Sequence, residues 1–109
     1  MEEIRLPKEL KIGAHNVEVV FPYKFTERYD INGDYAKAIS QIRVALYDSE
    51  NNKRTESEVW VTLFHEILHA IDFSSGQRMF SGEEGENRIE AISEGLYQVM
   101  NDNKLLNKP

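Results

Sequence analysis

Two histidines and a glutamate stand at the H-E-x-x-H spacing in the second half of the chain. They are His65, Glu66 and His69, within the stretch TESEVWVTLFHEILHAIDFSSG. Residues four apart on a helix lie one turn above each other, so both imidazoles can reach one ion while Glu66 lies beside it. Two imidazoles suit zinc, and a neighbouring carboxylate can act as general base toward a water molecule. The pattern therefore predicts a catalytic zinc site with one zinc ion per chain.

The surrounding residues predict that this motif lies in a core helix. Thr55 and Glu58 form a capping-box pattern before an apolar run, and Gly76 follows as a helix stop. The predicted helix, residues 55–75, is apolar on nearly every face, which is typical of a buried helix. A carboxylate and two imidazoles in a dry core are costly unless they are paired or bind a metal. The alternative is that they line a water-filled cleft and hydrogen-bond to each other.

A catalytic zinc ion usually has three protein ligands and a water molecule, so a third ligand is needed. Asp72 is near in sequence, but it lies about 10 Å along the helix from His65, too far to share one ion comfortably. It is predicted either to accept a hydrogen bond from an imidazole N–H or to be a surface acid at the helix end. His15 falls in a predicted turn, where a histidine is usually solvated.

The glutamates of a predicted last helix, residues 84–101, are the remaining candidates for the third ligand. The segment between His69 and Glu90 is long enough for a helix end, a loop and an antiparallel return beside the first helix. Glu90 then faces the ion, and Glu94, one turn further, accepts a hydrogen bond from a ligand histidine. Glu86 and Glu94 are rivals for the ligand role.

The motif His65-Glu66-x-x-His69, followed by Glu90-x-x-Ser93-Glu94, resembles the gluzincin clan of metallopeptidases, of which thermolysin is a member. In that clan the third ligand is a glutamate on a following "glutamate helix", which implies Glu90 as the ligand here. The clan usually has aspartate where this chain has Glu94. The length is similar to that of the single-domain minigluzincins, and HEILHAIDF and EGLYQV resemble small phage-type metallopeptidases. The resemblance covers roughly residues 56–103.

The resemblance implies a zincin-like fold and a zinc metalloendopeptidase that acts on a peptide or protein substrate. Zinc at His65, His69 and Glu90 lowers the pKa of a bound water toward about 7, and Glu66 passes the proton to the leaving amine. In the clan an edge strand above the cleft pairs with the substrate, and the strand at residues 41–46 or its neighbour is the candidate. The candidates for a further oxyanion donor are Tyr97, Arg88, Tyr35 and His15.

Only fifteen residues follow Glu94, and the last eight of them, residues 102–109, form the C-terminal tail. The resemblance to minigluzincins implies that such a tail can block the cleft, with Leu105 and Leu106 as the anchor. The alternative is a frayed terminus. Two other functions stay open: a non-catalytic zinc-binding module, and a regulatory peptidase of a mobile element that cleaves one protein partner.

The pattern of apolar residues predicts one α+β domain over residues 1–109. The first part, residues 1–54, consists mainly of strands and turns, with a hairpin turn at 13–16, a turn at Asn32-Gly33 and a strand that alternates from Gln41 to Tyr47. Two helices and the tail follow. Strands first and helices after predict a small antiparallel or mixed sheet packed on the active-site helix and the glutamate helix.

Composition excludes several classes of protein. The net charge of −6 argues against a nucleic-acid partner, which requires clustered Lys and Arg. The absence of cysteine excludes disulfides and thiolate zinc sites. No apolar run approaches the ~18 residues of a membrane helix, and acids occupy the N-terminus where a signal peptide has basic residues. A cytoplasmic location without membrane contact is predicted.

Overall fold

A computed structural model of the protein describes residues 3–26 and 31–106. These residues form an α+β fold with a mixed four-stranded sheet and two long helices, which confirms the predicted fold class at that level. The strands and helices are β1 (Glu9–Ile12), β2 (His15–Val20), β3 (Gly33–Ala36), β4 (Gln41–Val44), α1 (Glu56–Ser75) and α2 (Gly82–Asp102), with a 3-10 turn at Lys37–Ile39 between β3 and β4.

The sheet has the strand order β1-β2-β4-β3. Strands β1 and β2 form the predicted antiparallel hairpin, in which Ile12 pairs with His15 and Gly13 takes a positive φ of 60°. Strand β4 pairs in parallel with β2 and antiparallel with β3, so β4 is internal and its neighbour β3 is the edge strand. Gly33, predicted to lie in a turn, instead begins β3.

Helix α1 lies between the sheet and α2, since it contacts β1, β3 and β4 as well as α2. This position explains why its sequence is apolar on nearly every face. The predicted capping box is present: Thr55 Oγ1 accepts from the Glu58 amide, and a Glu58 carboxylate oxygen accepts from the Thr55 amide. Gly76 ends the helix with a φ of 72°. Neither α1 nor α2 is long and apolar enough to cross a membrane.

Helix α2 buries only part of its apolar stripe, which consists of Ile89, Ile92, Leu96, Val99 and Met100. Ile89 is fully buried and Met100 is partly buried, as expected for residues that pack against the core. Ile92, Leu96 and Val99 are instead 46%, 37% and 47% exposed. The reason is that α2 packs on α1 from one side, and nothing among the described residues covers the opposite side.

The described part of the tail packs against the body of the protein. The Leu105 amide donates to the carbonyl of Met100 at 2.7 Å, which closes the end of α2. Leu106 is partly buried against the hydrophobic core, while Leu105 is exposed. Residues 107–109, which belong to the predicted blocking segment, lie outside the described residues.

Gly33 allows β3 to approach α1 closely. A Cβ atom at this position would lie 2.5 Å from Thr62 Cγ2 and 3.2 Å from the carbonyl oxygen of Arg43. Because such overpacking forces the helix or strand to move, Gly33→Ala is expected to lower the free energy of unfolding by about 1–3 kcal/mol. Urea unfolding of the two proteins measures this difference.

The matched control adds Thr62→Ser to Gly33→Ala. Serine lacks the Cγ2 atom that collides with the new methyl group but keeps the hydroxyl that accepts a hydrogen bond from Arg54. The double variant is therefore expected to recover most of the lost stability. A Gly33→Ala protein as stable as the wild type would show that the contact between β3 and α1 is not tight.

Candidate metal centre

Helix α2 places a glutamate directly opposite the two histidines of α1. The imidazole rings of His65 and His69 lie one above the other, with centroids 4.9 Å apart. One oxygen of Glu86 lies 3.1 Å from His65 Nε2, and its other oxygen lies 2.8 Å from His69 Nε2. One nitrogen from each imidazole and one Glu86 oxygen lie within 4.8 Å of one another. These three residues could hold a metal ion.

The distances between these atoms fit a metal centre. Ligands at about 2.0–2.1 Å from a tetrahedral zinc ion are separated from one another by roughly 3.3 Å. The observed distances of 2.8 and 3.1 Å join the two imidazoles to different oxygens of Glu86 and are hydrogen-bond lengths, somewhat shorter than that value. Two imidazoles and one carboxylate form a donor set found at catalytic zinc sites. The Glu86 side chain is half exposed, so the group is open to solvent.

Glu90 lies on the other side of the His65 ring. Its carboxylate oxygen is 3.2 Å from His65 Nδ1, while His65 Nε2 faces Glu86. A carboxylate in this position can accept the Nδ1–H hydrogen and so fix the tautomer in which Nε2 is free to bind a metal. The sequence prediction gave the ligand role to Glu90 and the acceptor role to Glu94. In the structure Glu86 is the glutamate nearest to both Nε2 atoms, and Glu90 lies beside His65 Nδ1.

Glu94 continues along α2 away from the histidines. It is exposed and is not among the residues that line the cleft around the metal centre. Ser93, its neighbour in the predicted motif, is fully buried and donates a hydrogen bond from its hydroxyl to the Ile89 carbonyl at 2.7 Å. Ser93 therefore belongs to the buried side of α2, and Glu94, one turn beyond Glu90, lies outside the cleft that Glu86 and Glu90 line.

Glu66 is the buried acid of the centre. It is 7% exposed, and the close approach of β3 at Gly33 places the strand backbone over its side chain. The pKa of Glu66 is raised to about 8, mainly by burial and to a smaller extent by the nearby carboxylates of Asp34, Glu86 and Glu90. Several acids thus converge on one cleft, an arrangement that a bound cation stabilises.

The raised pKa of Glu66 predicts a pH-dependent stability for the metal-free protein. Its ordinary value of 4.5 applies to the unfolded chain, and the value of about 8 applies to the folded one. Below pH 4.5 both states hold the proton, so the burial of Glu66 costs no ionisation energy. Between pH 4.5 and 8 the folded state binds more protons than the unfolded state, so stability falls as the pH rises, by up to roughly a few kcal/mol.

This prediction is checked by urea unfolding in the presence of a chelator at pH 5 and at pH 8. The stability of Glu66→Gln relative to the wild type is expected to increase between the two pH values, because glutamine does not ionise. Glu94→Gln is the control, since Glu94 is exposed and should give no such change. An equal Glu66→Gln effect at both pH values would contradict the raised pKa.

The candidate metal centre lines a cleft of about 1100 Å³ between α1, β3 and the loop that joins the two helices. Asp72 holds that loop: it is buried, and its two oxygens accept from the backbone amides of Met79 at 2.7 Å and Phe80 at 2.9 Å. The sequence predicted an imidazole acceptor or a surface acid for Asp72. Its hydrogen bonds in the structure instead shape one wall of the cleft.

Tyr35 is the one predicted oxyanion donor that lines this cleft. It lies on β3, and its ring packs against Phe73 of α1 with centroids 6.1 Å apart. The other three lie elsewhere: Tyr97 is partly buried against the core, exposed Arg88 pairs with Glu84, and His15 is exposed on β2. Leu105 and Leu106 do not line the cleft either, so no described residue of the tail covers the metal centre.

Arg54 supports the site, and the sequence analysis did not identify it. It is buried, and its guanidinium donates to the carbonyls of Ala45 at 2.8 Å and Glu58 at 3.1 Å and to the Thr62 hydroxyl. It therefore ties the end of β4 to the first two turns of α1. The only signal in the sequence is its place directly before the helix cap at Thr55, which many surface arginines share.

Comparisons with known proteins identified no relative of this chain. No protein-family model, no curated protein and no solved structure matches the chain. The functional interpretation therefore depends on the metal centre and its cleft: two imidazoles and a carboxylate at metal-binding distance, beside a buried glutamate.

Proposed function

We propose that this protein is a zinc-dependent peptidase of the zincin type. The observation that carries the proposal is the convergence of three metal-binding side chains, His65, His69 and Glu86, beside the buried carboxylate of Glu66. A metal site that served only to stabilise the fold would usually be closed by a fourth protein ligand. This group is instead open to a large cleft.

Each residue of the centre has a distinct role in the proposed reaction. His65, His69 and Glu86 hold the metal, and Glu90 fixes the orientation of the His65 ring. Bound zinc would polarise the scissile carbonyl and lower the pKa of water toward about 7. Glu66 accepts a proton from the attacking water and delivers it to the leaving amine. Its position in the sequence, next to His65, keeps it beside the metal.

The edge strand β3 supplies a surface for an extended substrate. Its inner edge pairs with β4, and among the described residues no strand pairs with its outer edge. An extended peptide can add to such an edge through main-chain hydrogen bonds. Because Gly33 and Tyr35 of this strand line the same cleft as the metal centre, the peptide would pass across the three ligands. The Tyr35 hydroxyl is the proposed donor to the oxyanion.

Metal content and hydrolysis together test this proposal. Elemental analysis of the purified protein is expected to give one zinc per chain, retained in His15→Ala and lost in His65→Ala. The zinc-loaded protein is expected to cleave casein or a mixed peptide library, and a chelator should stop the cleavage.

Three outcomes would change the interpretation. A folded wild type that takes up no zinc would remove the proposal altogether. Zinc binding without cleavage of any peptide would support a zinc-binding module. Cleavage of one native protein but not of casein would support a partner-specific regulatory peptidase.

A further inference from the structure

The cleft is lined by two basic side chains, Lys37 and Arg78, near the end of α1 where the buried carboxylate of Asp72 is already bound by two backbone amides. The protein has a net charge of −6, and the metal-centre end of the cleft holds Glu66, Glu86 and Glu90. No carboxylate of residues 3–26 or 31–106 lies within ion-pair distance of Lys37 or Arg78. Within the described residues, the cleft therefore carries two cations without an ion-pair partner, one on the turn after β3 and one on the loop after α1.

Lys37 is held in place by an aromatic ring of α1. Its ammonium lies 5.2 Å from the centroid of Phe73, a distance typical of a cation–π contact. The Tyr35 ring packs on the same phenylalanine. Phe73 follows His69 by four residues on α1, so it lies about 6 Å further along the helix axis. The ammonium group of Lys37 is thus about one helical turn beyond His69 and about 9 Å along the helix axis from the midpoint of the two histidines.

Arg78 belongs to the loop that Asp72 holds. Arg78 has a φ of 54°, a left-handed conformation that is uncommon for a residue with a side chain. The next two amides, of Met79 and Phe80, both donate to the buried carboxylate of Asp72. Two charge-assisted hydrogen bonds can fix a strained backbone in one conformation. These hydrogen bonds therefore fix the loop backbone next to Arg78, which lines the cleft.

We propose that Lys37 and Arg78 form a subsite for a carboxylate group of the peptide substrate. This inference rests on the proposed peptidase function and adds a substrate class to it. A guanidinium binds a carboxylate through two parallel hydrogen bonds, and an ammonium adds a second charge. The separation along α1, about 6 to 9 Å, equals roughly two to three residues of extended peptide at about 3.3 Å each. The carboxylate therefore lies about two to three residues from the scissile bond.

Two sources of carboxylate fit this chemistry: an acidic side chain and the free C-terminus of a peptide. Both are tested by binding to zinc-loaded Glu66→Gln, which keeps the cleft but does not consume the peptide. Three acetylated tetrapeptides differ only in their last residue: Gln with an amidated end, Glu with an amidated end, and Gln with a free carboxylate. Isothermal titration is expected to give at least about tenfold tighter binding for one of the two carboxylate peptides than for the neutral peptide.

The test variant in this background is Lys37→Met combined with Arg78→Gln, which should remove the preference for carboxylate. The control is Lys8→Met combined with Lys11→Met, two exposed lysines beside or on β1 at the opposite edge of the sheet. Both variants change the net charge by the same amount, so a general electrostatic effect would appear in both. Thermal unfolding establishes that each variant is folded.

The outcomes separate this inference from the proposed function. Equal binding of all three peptides, or a preference that survives in the Lys37 and Arg78 variant, overturns the subsite. If the wild type cleaves peptides without regard to carboxylates, the peptidase function stands and the subsite falls. If the carboxylate preference depends on Lys37 and Arg78 but no peptide is cleaved, the subsite stands and the hydrolytic function falls.

Discussion

Glu66→Gln is expected to lower the rate of peptide hydrolysis at least 100-fold while the zinc content stays at one per chain. Positioned general acid–base groups typically contribute about 10²- to 10⁴-fold to a rate. Glutamine has nearly the same size as glutamate but cannot accept a proton from the attacking water. The three proposed metal ligands, His65, His69 and Glu86, are unchanged by this substitution. The measurement is cleavage of a peptide library by zinc-loaded protein, with zinc determined on the same sample.

Glu94→Gln is the matched control for this experiment. It makes the same chemical change at an exposed residue of α2 that does not line the cleft, so it should retain wild-type activity. If Glu66→Gln is as active as the wild type, Glu66 is not the general base. If it loses zinc together with activity, Glu66 is part of the ligand set and the base must be another group. An unfolding measurement on each variant separates both results from a loss of structure.

The parts of the fold that depend on local signals could be predicted from the sequence. The capping box at Thr55 and the glycine stop at Gly76 define α1, because caps satisfy backbone groups within a few residues. The β1–β2 hairpin follows from alternating residues around a turn. The pairing of His65 and His69 follows from helical periodicity alone. These features need no knowledge of the rest of the chain.

Features that depend on packing between distant elements could not be predicted. Gly33 follows Asn32, a pair typical of turns, yet it begins β3 because a residue without Cβ is needed against Thr62. Ile92 and Val99 share the helical spacing of core residues, but α2 packs from one side only, so they remain exposed. Burial of Arg54 depends on carbonyls that two separate elements provide.

The choice of the third metal ligand shows the same limit of sequence reasoning. Glu86, Glu90 and Glu94 are spaced by four residues, so all three lie along the same side of α2. Periodicity cannot decide which of them meets the histidines, because that depends on how far α2 is displaced along α1. In the structure Glu86 contacts both Nε2 atoms, and Glu90 contacts His65 Nδ1.

Glu86→Gln is therefore expected to weaken zinc binding more than Glu90→Gln. A group that orients a ligand histidine typically contributes about 10- to 100-fold to metal affinity, so Glu90→Gln should fall in that range and Glu86→Gln should exceed it. Competition with a chromogenic chelator measures both affinities, with Glu94→Gln as the variant that should match the wild type. Metal-free unfolding of all three variants shows whether the fold is intact.

The comparison between these two variants is informative because each removes one negative charge from neighbouring turns of the same helix. A general effect of charge on cation binding would lower both affinities equally, so any difference between them reports position. If Glu90→Gln has the larger effect, then Glu90 is the ligand, as the resemblance to gluzincins implies, and Glu86 lies outside the ligand set. If both variants bind zinc as tightly as the wild type, the two histidines do not use a glutamate of α2 as their third ligand.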